Sequence, residues 1–75
     1  MSNNCIKGIR IAEDCIILYL DTHSDPRQEC ASRLWLGVKR IFGGDACLRA
    51  NKSRIQIEIR GNHWSKVERV LRGLF

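Results

Sequence analysis

Isoleucines at 55, 57 and 59 alternate with Gln56, Glu58 and Arg60. A period of two marks a strand with one buried face and one wet face. Gly61 interrupts the alternation, and the period then lengthens. Trp64, Val67, Val70, Leu71 and Leu74 share one side of a helix, while Lys66, Arg69 and Arg72 fall mostly off it. Asn62 is placed to cap that helix, its side-chain oxygen accepting a hydrogen bond from an amide of the first turn. A strand and a helix with one apolar face each must bury those faces against the rest of the chain.

The earlier residues supply the partners. Ile6 to Ile11 reads as a first strand, with Ile9 and Ile11 on one side and Arg10 on the other; Gly8 marks a bulge or an edge. Ala12-Glu13-Asp14 is a polar hairpin turn. Cys15 to Leu20 is apolar on both faces, which suits a central strand. Its rows are Cys15, Ile17, Tyr19 and Ile16, Leu18, Leu20, and helices on one side only would leave one row open. Asp25 as N-cap, Pro26 as first helical residue and Gln28 as capping-box partner start a helix that runs to about Phe42. Ala31, Leu34, Trp35, Val38, Ile41 and Phe42 form its buried stripe, and Gly43-Gly44 stops it. Ala46 to Ala50 is a short strand, Asn51-Lys52-Ser53 a turn, and Arg54 to Arg60 the last strand. The fold expected is α+β: a two-layer sandwich ordered strand-strand-helix-strand-strand-helix, with a four-stranded sheet and both helices on one face. Trp35, Phe42, Trp64 and Phe75 would lie between the layers.

Seventy-five residues make one domain, 1–75, with residues 1–5 expected to fray. A chain of this size buries only about 60% of its unfolded surface, so its stability is expected to be modest. The longest apolar run, Cys15 to Leu20, is far too short to span a bilayer. The opening Met-Ser-Asn-Asn-Cys lacks the basic and apolar regions of a secretory signal, so a cytoplasmic location is expected.

Charge changes the picture. The net charge is +5, yet residues 1–37 carry four basic and five acidic side chains, against nine basic and three acidic in 38–75. Such an excess attracts polyanions. The candidate phosphate contacts are Lys39, Arg40, Arg49, Lys52, Arg54, Arg60, Lys66, Arg69 and Arg72. Arginine outnumbers lysine nine to four, and its planar fork suits phosphate. The partner expected is RNA, the ribosome or DNA, held through the backbone with little sequence preference.

Beyond these patterns, Val38-Lys-Arg-Ile-Phe-Gly-Gly44, and Ile55-Gln-Ile-Glu-Ile-Arg-Gly-Asn62 followed by Lys66-Val67, resemble a known family. They are similar to the first-helix end and to the last strand and helix entry of the small ribosome-binding translation initiation factors, eukaryotic initiation factor one and its bacterial and archaeal relatives. The likeness covers residues 15–75, and 38–71 best. It implies the same order of elements and an association with the ribosome. The hairpin turn Ala12-Glu13-Asp14 departs from the basic, glycine-rich loop with which the family touches ribosomal RNA.

The remaining chemistry is sparse. Cys5, Cys15, Cys30 and Cys47 are separated by 10, 15 and 17 residues. Zinc ribbons space their ligands about two to four residues apart, so no metal is expected and the thiols read as reduced core groups. A disulfide would call for an oxidising compartment. His23 and His63 have no nucleophile or carboxylate placed beside them for catalysis; Asp21 and Asp25, near His23, fit turn and capping chemistry. Gly43-Gly44-Asp45 lacks the lysine and spacing of a phosphate loop. No enzyme, catalytic residue or cofactor is expected. The alternative to nucleic acid is a non-enzymatic interaction or regulatory module, docking a protein partner or a second copy through Cys15, Ile17 and Tyr19.

Overall fold

A computed structural model describes residues 5–21, 29–50 and 54–74, the side chain of Leu74 excepted. Its elements are β1 (Ile6–Ile11), β2 (Cys15–Leu20), α1 (Glu29–Phe42), a single 3-10 turn (Gly43–Asp45), β3 (Ala46–Ala50), β4 (Ile55–Arg60) and α2 (Trp64–Leu74). The strands form one sheet in the order β1-β2-β4-β3 with every neighbouring pair antiparallel. This is the α+β architecture that the alternating and helical periods call for, with the apolar strand β2 in the middle. The cap set Asp25, Pro26 and Gln28, the turn 51–53, His23 and Phe75 lie outside the described residues.

Register decides which side chains share a face. Ile16 pairs with Ile59, Leu18 with Ile57 and Leu20 with Ile55, and all six are buried. Ala31, Leu34 and Val38 of α1 and Val67 and Val70 of α2 complete the core, with Trp35, Phe42 and Trp64 packed partly buried against it. On the opposite face Cys15, Ile17 and Tyr19 are only half-buried. Both helices therefore cover one side of the sheet, and each is stabilised mainly by that burial.

Two helices cover the middle strands better than the edges. Ile9 and Ile11 on β1 and Leu48 on β3 point to the helix side by register, yet stand 41%, 51% and 42% exposed. Ile41, expected in the buried stripe of α1, is 54% exposed. It sits in the last helical turn, about 50° round from the line set by Ala31, Leu34 and Val38.

The amino-terminal end corrects two expectations. Cys5 is buried and bonded to Cys30 in the first turn of α1, with Cα atoms 6.1 Å apart. The Asp21 amide also donates to the Cys5 carbonyl at 2.7 Å. Cys5 is thus neither frayed nor a free thiol: the start of β1, the end of β2 and the start of α1 meet at one end of the sheet. Cys15 and Cys47 are free, Cys15 half-buried and Cys47 exposed rather than in the core.

At the other end the β1–β2 turn is tied to the start of α2. Ala12 donates its amide to the Cys15 carbonyl at 2.9 Å, closing the hairpin, and Gly61 donates to Asp14 at 2.6 Å. Asn62, expected as a helix cap, instead donates its side-chain amide to the Ala12 carbonyl at 3.2 Å. The helix begins two residues later, with Val67 bonded back to His63, which takes the N-cap position. Gly61 turns the corner at φ 89°, where a Cβ would lie 2.8 Å from the His63 ring. Gly43 ends α1 at φ 57°, the left-handed conformation expected of the glycine pair.

Candidate nucleic-acid interface

The uncovered face of the sheet is built by the residues between the buried ones. Cross-strand pairing sets them in rows. One row runs Gly8, Tyr19, Gln56, Arg49 across β1, β2, β4 and β3. The next runs Arg10, Ile17, Glu58, Cys47, and a third pairs Cys15 with Arg60. Arg54 continues the alternation of β4 by one residue, and with Arg49, Ala50 and Gln56 it lines a shallow depression of about 230 Å³. Arg10, Arg49, Arg54 and Arg60 are all exposed and frame a half-buried centre of Ile17 and Tyr19. Strands lie about 4.8 Å apart and rise about 3.3 Å per residue, so the frame measures roughly 14 by 20 Å.

The frame is rich in guanidinium groups and includes the Glu58 carboxylate. Arg49 reaches Glu58 at 3.4 Å, an exposed pair that contributes about 0–1 kcal/mol and leaves the guanidinium able to exchange partners. Cys15 titrates above the ordinary thiol range, because burial disfavours the thiolate, and Asp14 and Glu58 add negative charge that Arg10 only partly offsets. It is therefore a poor nucleophile at neutral pH. Tyr19 is the cross-strand neighbour of Gly8, where a methyl group would touch the ring at 3.6 Å.

The nine basic residues singled out from the sequence do not share one surface. Arg49, Arg54 and Arg60 lie on the open sheet face. Lys39 and Arg40 on α1, and Lys66, Arg69 and Arg72 on α2, lie exposed on the outer side of the helix layer, at the opposite side of the molecule. There Lys39 stands 5.8 Å from the centre of the Trp35 ring, and Arg72 pairs with Glu68 at 2.6 Å. Lys52 lies outside the described residues. The apolar row Cys15, Ile17, Tyr19 falls inside the arginine frame, so the two sets of candidate residues belong to one site.

Sequence reasoning missed Arg10 and Gln56. Arg10 was hidden by its acidic half of the chain, although its alternation with Ile9 and Ile11 already set it opposite the core. Gln56 carries no charge, and only the register that places it between Tyr19 and Arg49 brings it into view. Among the described residues no cluster of His, Cys, Asp or Glu could hold a metal ion. No described helix is long and apolar enough to cross a membrane.

No protein-family model, curated protein or solved structure matches this chain.

Proposed function

We propose that this protein is a small, non-enzymatic nucleic-acid-binding domain, associated with RNA or the ribosome, that grips the phosphate backbone with little sequence preference. One observation carries the reading. The face of the sheet that the helices leave uncovered is the face framed by Arg10, Arg49, Arg54 and Arg60, with Glu58 among them. Exposed guanidinium forks on a stiff sheet suit phosphate groups, which they contact in bidentate fashion.

Salt dependence tests this. Four phosphate contacts to a single strand give a slope of about −3 in log affinity against log salt, or roughly a 50-fold loss between 50 and 200 mM. Replacing Arg49, Arg54 and Arg60 together by alanine should flatten that slope by about two. The triple change at Lys66, Arg69 and Arg72 should weaken binding without removing the slope, because those residues face away. Fluorescence anisotropy with a labelled oligonucleotide reads both. No binding at low ionic strength ends the proposal, and a slope lost only with the α2 variant moves the site to the helix layer.

The half-buried row Cys15, Ile17, Tyr19 favours a second reading, a protein-interaction module. A second copy stacked face to face would bring two arginine frames together, and like charges in contact repel. An acidic protein partner fits that row better than a homodimer does. Light scattering on a sized sample separates the two, since a tight dimer indifferent to RNA selects the homodimer.

A further inference from the structure

We infer that the open face takes a single strand rather than a duplex, with one base stacked on Tyr19 and its edge met by Gln56, while Arg49 and Arg54 hold the adjoining phosphate. This rests on the proposed polyanion reading and adds what in the nucleic acid, besides charge, is recognised.

Three observations converge on one row. Tyr19 is directly across from Gly8 on β1, and its ring lies beside the place a Gly8 side chain would fill. A half-buried ring beside a residue with no side chain leaves aromatic surface open to a ligand. Gln56 is directly across from Tyr19 on β4, and Arg49 is directly across from Gln56 on β3. Aromatic ring, amide and guanidinium thus follow one another at strand spacing, about 4.8 Å per step. The last two open onto the depression that Arg54 also lines. An amide both donates and accepts, which suits the hydrogen-bonding edge of a base. A guanidinium pair suits the charge that follows it along a nucleotide. The two tryptophans pack on the helix side of the sheet and take no part.

A duplex presents no unstacked base and cannot lay one on a flat sheet, whereas a single strand can splay its bases. The chemistry recognised is therefore a nucleobase with a phosphate beside it, not a polyanion in general.

The experiment compares a labelled oligouridylate of roughly ten nucleotides with an abasic strand carrying the same phosphates, and with a duplex of the same length. The oligouridylate should bind the intact protein about tenfold tighter than the abasic strand, the scale of one stacked base. Tyr19→Leu should erase that tenfold advantage while leaving abasic binding unchanged, and Tyr19→Phe should keep it. Circular dichroism of each variant confirms the fold, and Tyr19→Phe preserves the packing beside Gly8 if Tyr19→Leu does not fold. Equal affinity for base-bearing and abasic strands, or a tighter duplex, overturns the inference and leaves the phosphate-binding reading standing. No binding of any probe removes both.

Discussion

Reducing the Cys5–Cys30 bond is expected to lower the unfolding free energy by about 3 kcal/mol and the midpoint Tm by roughly 15–20 °C. The bond joins residues 25 apart in the chain. Closing a loop of that size removes chain entropy from the unfolded state, which is the origin of the figure. A domain of this length holds only about 4–11 kcal/mol in total, so the cross-link is a large share. Reduction truncates neither side chain, so comparing the oxidised and reduced protein reads the constraint without a mutation in the core. Thermal denaturation with and without a phosphine reductant measures it, and the Cys5→Ala, Cys30→Ala double variant should behave like the reduced form with a further loss from truncating buried Cys5. An unchanged midpoint would mean that the ends of β1 and α1 are held together without the bond. In any reducing compartment the bond would be open, and the smaller margin would then govern how much protein stays folded. Oligonucleotide binding should survive reduction below the new midpoint, because strand pairing, not the bond, sets Arg10, Arg49 and Arg60 in place.

The strands were legible because each carries its own signal. Ile55, Ile57 and Ile59 declare a buried face locally, and the double row of β2 declares its central place. Gly8 likewise announced the irregularity that the pairing shows between Ile6 and Gly8. Contacts made between distant segments were not legible. Nothing in the spacing of four cysteines says that Cys5 and Cys30 meet, since that depends on which ends of β1, β2 and α1 gather. Asn62 has a capping residue's chemistry, but the turn at Ala12 offers its side chain another acceptor. The basic residues were legible as a list and not as a surface. Helix period and strand register project them to opposite sides of a two-layer fold, and only pairing reveals that Arg10 joins Arg49 and Arg60.

Truncating Ile57 to alanine should cost about 4 kcal/mol, while the same truncation at Ile17 should cost about 1 kcal/mol or less. The two isoleucines sit on adjacent central strands, one residue out of step: Ile57 pairs with Leu18, and Ile17 pairs with Glu58. Ile57 is fully buried beneath the helices, so removing its outer carbons leaves a cavity that close-packed neighbours fill only in part. Ile17 is half-buried on the open face, where lost contacts are replaced by water. Urea denaturation gives both values, and an unchanged m-value confirms that the same surface is exposed on unfolding. A loss at Ile17 as large as that at Ile57 would mean that something covers the open face in solution. If that loss also shrank on dilution, the cover would be a second copy of the chain, and Tyr19 would then be packed against protein instead of waiting for a base.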